Sequence, residues 1–194
     1  MKKQISRILL LALTLSLLAG CRKMEQTEAP VSDTLVVGTG NFDGKFSPFF
    51  YTNANEGAVL DLVHQTLLPT DREGAVITAG IAGQVRPYNG TDYTYRGIAD
   101  CAITENEDGT VFYDITLREG VQFSDGEALD ADDVIFSLYV ALDPAYDGTM
   151  TLYSLPILGL TNYREGDAAA ISGIVRLGDY KLRVVTTEFS AAAI

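Results

Sequence analysis

Apolar and polar positions change their period several times along this chain, and each change predicts an element. Ile8 to Ala19 is apolar throughout apart from Thr14 and Ser16. Crossing a bilayer takes about 20 such residues, so the run is too short for a membrane span. Thr34 to Val37 is β-branched and reads as a short strand that runs into the glycine turn "VVGTGNFDG"; Phe46 to Tyr51 follows as an aromatic loop carrying Pro48. From Asn55 the period becomes helical. Val59, Leu60, Leu62, Val63 and Leu67 share one face, Asn55 serves as N-cap, Glu56 suits the first turn, and the helix ends before Pro69.

Period two takes over in the middle of the chain. Ile98 to Thr104 and Thr110 to Arg118 predict a hairpin closed by Glu105 to Gly109, with Val111, Tyr113, Ile115 and Leu117 on one face and Phe112, Asp114, Thr116 and Arg118 on the other. Ser124 to Gly126 is a turn. Asp130 then N-caps a helix with Asp132 and Asp133 in its first turn and Val134, Ile135, Phe136, Leu138 and Leu142 on its buried face.

The N-terminal run acquires a meaning from its flanks. Lys2, Lys3 and Arg7 precede it and Leu18-Ala-Gly-Cys21 follows, the organisation of an export signal. The last four residues resemble the lipobox of bacterial lipoproteins, which implies that Cys21 is diacylated and anchors the mature chain to the membrane. Residues 22–32, polar and without a hydrophobic period, read as a flexible tether. Cys101 is then left without a disulfide partner and is expected to be a small buried apolar residue. With one histidine, His64, the chain lacks a soft-ligand set for zinc, and no metal or other cofactor is expected.

Charge and motif narrow the function classes. The formal net charge is −12, and loss of Lys2, Lys3 and Arg7 with the leader makes it more negative, so nucleic acid is not an expected partner. Gly38 and Gly40 have dinucleotide-loop spacing, but Asp43 holds the third glycine's place and no helix start follows Gly44. Gly38 and Gly40 are instead expected to let the chain bend. "ENEDG" lacks the ligand order of a calcium loop and reads as a solvated turn, while Asp130, Asp132 and Asp133 are explained by a helix start. No G-x-S-x-G elbow accompanies the serines, and His64 is the sole candidate base, which argues against a hydrolase. His64 itself reads as a structural or surface residue.

The stretch "YDITLREGVQFSDGEALDADDVIFSL" from Tyr113 resembles the signature of the solute-binding lipoproteins of peptide, dipeptide and nickel ABC importers: a strand, L-R-x-G-V-x-F-x-D-G, then A-x-D-V-x-x-S. "DTLVVGT" with "FSPFF", "LLPTDREG" and "SGIVRLGDYKLRVVTTEFSA" extend the similarity over nearly all of the mature chain. Tyr113 departs from it, standing where many relatives have tryptophan, and the segment Gln84 to Ala99 looks like a lengthened connection.

The resemblance implies a mixed α/β fold of the periplasmic-binding-protein type, class II, bilobal in the whole protein. This chain would be an N-terminal fragment of it: signal 1–20, tether 21–32, a first segment of lobe I over 33–64, an accessory subdomain over 65–181, and a return to lobe I over 182–194. It further implies a non-enzymatic extracytoplasmic protein that takes a short peptide or other small solute between its lobes and hands it to an ABC permease and its ATPase. Nickel chelates and sugar-like solutes also occur among such proteins, and a peptide-sensing or chaperone role shares the fold. Carried over residue by residue, the resemblance puts Tyr51, Thr52, Asn53 and Ala54 on the cleft wall. Phe49 and Phe50 either line the cleft or pack within the lobe.

Overall fold

The computed structural model describes residues 34–148 and 152–190; the expected signal, Cys21, the tether and residues 191–194 lie outside the described residues. Two compact units are present, Met1–Thr39 and Gly40–Ile194. In the first, the strand expected over Thr34 to Val37 does not form, and Leu35 and Val36 are each 86% exposed. β-propensity measures how well a side chain suits a pleated, half-buried surface; it supplies neither that surface nor a ladder.

The second unit is mixed α/β. In chain order it holds α1 (Ala54–Val63), β1 (Gln84–Tyr88), β2 (Thr91–Tyr95), β3 (Ala99–Glu105), β4 (Val111–Leu117), α2 (Ala131–Leu142), α3 (Leu160–Glu165), β5 (Ile174–Gly178) and β6 (Lys181–Thr186). β3, β4, β6 and β5 form an antiparallel sheet in that order, and β1 pairs with β2 in a separate hairpin. The boundary expected between 181 and 182 falls inside β6, a central strand that pairs with β4 from Val111↔Thr186 to Thr116↔Lys181.

β4 shows why the sheet forms. Val111, Tyr113, Ile115 and Leu117 are all buried, as their alternation predicts, and they join Ala99, Cys101, Leu182 and Val184 in one core. At about 25 cal/mol per Å² of apolar surface removed from water, burial of this face is the largest favourable contribution set against the cost of ordering the strands that carry it. The opposite face is polar at its centre, where Asp114 meets Arg183.

α2 closes the core. The Asp130 side chain accepts from the Asp133 N–H while the Asp133 carboxylate accepts from the Asp130 N–H at 2.9 Å, a reciprocal capping box, and Asp130 accepts from the Asp132 N–H as well. Arg176 reaches from β5 to Asp132 and, within its own hairpin, to Asp179, at 2.9 Å each, tying the helix start to the sheet. Leu142 is buried, and Val134, Ile135 and Leu138 pack against the core, but Phe136 is 66% exposed. Two residues from both Val134 and Leu138, it points about 200° away from them around the helix.

α1 is shorter than expected and starts earlier. Asn53, not Asn55, is the N-cap, and the helix stops at His64, whose N–H bonds Leu60 at 2.8 Å. Of the expected apolar face only Leu60 is buried; Leu62 and Val63 are exposed, while Leu67 packs against the core from the bend that precedes Pro69. His64 is an exposed helix terminator. The segment Gln84 to Ala99 is more ordered than a lengthened connection, because Asn89 and Gly90 both take positive φ (49° and 77°) and make the two-residue turn that a hairpin favours.

Candidate functional site

The candidate site is the loop that feeds α1. After Pro48 the chain turns, and the N–H groups of Phe50 and Tyr51 both donate to the Ser47 carbonyl, at 3.1 and 3.0 Å. Asn53 caps the helix by accepting from the Asn55 N–H at 2.8 Å, and its amide nitrogen donates to the Asn41 carbonyl at 3.0 Å. Asn55 bonds the Gly40 N–H and the Asn41 carbonyl, each at 3.4 Å. Glu56 is fully buried; one of its oxygens accepts from the Lys45 N–H at 2.9 Å and the other has no hydrogen-bond partner. Three polar side chains from the first turn of α1 thus hold the backbone of residues 40–45 against the helix start.

These contacts sort the four residues expected on the cleft wall. Tyr51 and Asn53 are half-buried, Thr52 and Ala54 exposed. The Tyr51 ring lies so close to Gly57 that a methyl group there would come within 2.9 Å of it. The Asn53 side chain serves the helix cap. Thr52 and Ala54 are the members of the set that present a surface.

The aromatic residues before them are braced from a distant part of the chain. Phe49 and Phe50 stand edge to face at 6.5 Å, and the Phe50 ring is 5.4 Å from that of Tyr146. The Tyr146 hydroxyl donates to the Phe49 carbonyl at 2.5 Å, and Tyr153 donates in turn to the Tyr146 carbonyl at 2.7 Å. Phe49 is therefore half-buried within this unit, whereas Phe50, though it touches Tyr146, keeps 43% of its surface exposed.

Sequence reasoning missed Tyr146 and Tyr153, since nothing local in the sequence announces a contact across 97 residues. It also missed the role of Glu56, because its bond to the Lys45 N–H reaches 11 residues back along the chain and leaves no local spacing to read. The glycine turn differs from expectation as well. Neither Gly38 nor Gly40 takes a positive φ; Gly44 does, at 86°. Gly40 is small because of crowding, as a Cβ there would meet the Asn55 amide at 2.9 Å.

No group of three or more His, Cys, Asp or Glu side chains is arranged to hold a metal among the described residues. Burial pushes the Cys101 thiol up to about 11, with Asp114 adding to the shift, so it is an unreactive core thiol at neutral pH.

Comparison with known proteins places this architecture. Residues 94–193 match the family model described as bacterial extracellular solute-binding proteins, family 5 Middle. The oligopeptide-binding protein OppA of Lactococcus lactis subsp. lactis (strain IL1403) is 37% identical over 76 residues, 39% of this chain and 13% of that protein. OppA of L. lactis subsp. cremoris (strain SK11) is 33% identical over 102 residues, 52% of this chain and 16% of that protein. The chain thus spans less than a fifth of the length of either relative. The crystal structure of an oligopeptide ABC transporter substrate-binding domain from Bacillus anthracis superposes with a TM-score of 0.54 at 20% identity, over 74% of this chain and 24% of that one, a likeness of fold. With the family model covering more than half of its residues, the chain belongs to the bacterial extracellular solute-binding proteins of family 5.

Proposed function

We propose that this chain is part of an extracytoplasmic substrate-binding lipoprotein that captures short peptides for an ABC importer. The observation that carries the reading is the family match over residues 94–193, joined by relatives that are themselves oligopeptide-binding proteins. In the whole protein the ligand lies between two lobes, and closure over it presents the complex to a permease and its ATPase. Cys21 carries the lipid that keeps the protein at the membrane. Binding and release suffice for this task, and no reaction step is involved.

The ligand wall proposed here is Tyr51, Thr52, Asn53 and Ala54. Its value lies in rigidity, because a peptide taken out of water must have its N–H and C=O groups met, at about 1 to 3 kcal/mol for each one left unpaired. A wall pinned by Asn53, Asn55 and Glu56 loses little entropy on binding. An extended peptide added as a strand meets these needs through its backbone and leaves side chains loosely read.

Thermal unfolding of the full-length protein with a library of short peptides tests the reading. Peptide at a hundred times its Kd adds about 2.7 kcal/mol of stability. Stabilisation by peptides is expected; stabilisation by nickel chelates or sugars with none from peptides overturns the assignment.

A further inference from the structure

Away from the α1 wall, the second unit contains an open cavity of about 520 Å³ beside α3. That volume lies within the range of roughly 300 to 1,000 Å³ usual for small-molecule sites. Leu155, Pro156 and Leu160 give it an apolar side; Thr161, Thr187 and Arg164 give it a polar one.

Arg164 is the unusual member. Its guanidinium carbon lies 3.7 Å from the centroid of the Tyr153 ring, and its Nη1 is buried without a hydrogen-bond partner. Among the described residues it makes no ion pair, although the chain carries 26 acidic side chains. Glu165 also lines the cavity, but successive helical residues diverge by about 100° and do not face one another. A guanidinium held over a ring by cation–π attraction can still offer N–H donors to a planar, two-oxygen acceptor.

We propose that this cavity is a second binding site, specific for an aliphatic carboxylate, with Arg164 as the anchor. The carboxylate forks onto the Arg164 edge within reach of Thr161 or Thr187, and the aliphatic body lies against Leu155, Pro156 and Leu160. Tyr153 makes the site more than a surface hollow. Its ring supports Arg164 while its hydroxyl holds the Tyr146 carbonyl, and Tyr146 holds Phe49, so occupancy bears on the loop that leads into α1.

Isocaproate and its amide test the site by titration of the isotopically labelled full chain, followed by NMR. The acid is expected to shift the Thr161 and Thr187 amides and to bind at least about fivefold more tightly than the amide, a preference that Arg164→Gln abolishes and Arg164→Lys keeps in part. Equal binding of acid and amide to the wild type, no binding of either, or a preference that survives Arg164→Gln overturns the proposal. Wild-type shifts and the lysine variant decide the matter even if the glutamine variant folds poorly. Gly-Gly-Leu and its C-terminal amide, beside N-acetylglutamate amide, then show whether a chain terminus or an acidic side chain is the better source of the carboxylate. The site goes beyond the peptide-capture reading: peptides that stabilise the protein without an acid-over-amide preference sink the site alone, and isocaproate binding without peptide binding sinks the capture reading alone.

Discussion

The hydroxyl of Tyr146 donates to the carbonyl of Phe49 at 2.5 Å, joining the loop before α1 to the turn after α2 across 97 residues of chain. That bond and the Phe50–Tyr146 ring contact brace the Ser47 to Tyr51 turn from outside.

Tyr146→Phe keeps the ring and removes the donor. The expected cost is about 1 kcal/mol of global stability, the usual net worth of one hydrogen bond. The larger effect is local: the Phe50 and Tyr51 amides, both bonded to Ser47, should exchange faster with solvent deuterium. Unchanged exchange at those amides would show that the turn does not depend on the brace.

Asp114 and Arg183 form a two-pronged pair across β4 and β6, at 2.6 and 2.8 Å, with side chains 20% and 29% exposed. The Arg183 hydrogen bonds hold the Asp114 carboxyl below the ordinary carboxylate range, against the opposing effect of burial. A carboxyl lowered on folding contributes its full stability above the unfolded value, near 4, and loses it as pH falls through the lower folded value. Asp114→Asn should therefore cost about 1 to 2 kcal/mol at neutral pH and progressively less below about pH 4. Urea unfolding of both proteins at pH 7 and pH 3 checks this; a pH-independent difference would assign the loss to packing.

Glycine content alone does not say which glycines matter. A Cβ on Gly173 would lie 2.6 Å from the Val185 carbonyl oxygen and 2.8 and 2.9 Å from the Leu158 carbonyl oxygen and nitrogen, all backbone, whereas nothing lies within 4 Å of one on Gly38. Gly173→Ala should cost about 3 kcal/mol or prevent folding, and Gly38→Ala should change stability by less than about 0.5 kcal/mol. Comparable melting temperatures for the two variants would contradict the crowding at Gly173.

What the sequence disclosed follows from where its signals are local. The β4 alternation and the Asp130 N-cap are written within a few residues of the elements they set, and both were legible, although the reciprocal bond from Asp133 was not foreseen. α1 was half legible: an Asn sits at both 53 and 55, and periodicity does not choose between two caps. The Asn89-Gly90 hairpin was readable from its turn dipeptide but was masked by Pro87 and the polar residues around it. At the candidate sites the limit was different. Tyr146 on Phe49 and Arg164 on Tyr153 arise from tertiary placement, which leaves no period in the chain.

The anchor proposed at Cys21 is tested by metabolic labelling with a fatty-acid analogue. Cys21→Ala should abolish labelling and release the protein from the membrane fraction, since two acyl chains hold where one is marginal. Labelling that survives the substitution would remove lipidation at this residue from the proposed function.

Tyr113, the aromatic that departs from the tryptophan seen in the resemblance, does something an indole does not. Its ring is fully buried, and its hydroxyl both donates to the Ser190 carbonyl and accepts from the Ser190 N–H, at 3.0 Å each. An indole N–H only donates. Tyr113→Phe should leave both Ser190 groups unmet and cost about 1 to 3 kcal/mol. Tyr113→Trp restores the donor but not the acceptor, and it forces a larger ring into a site with no exposed edge, at about 1 to 3 kcal/mol of overpacking. Both variants should unfold at lower urea with an unchanged m-value. If Tyr113→Trp matched the wild type, the hydroxyl's acceptance from Ser190 would contribute nothing, and the tyrosine would be an interchangeable core aromatic.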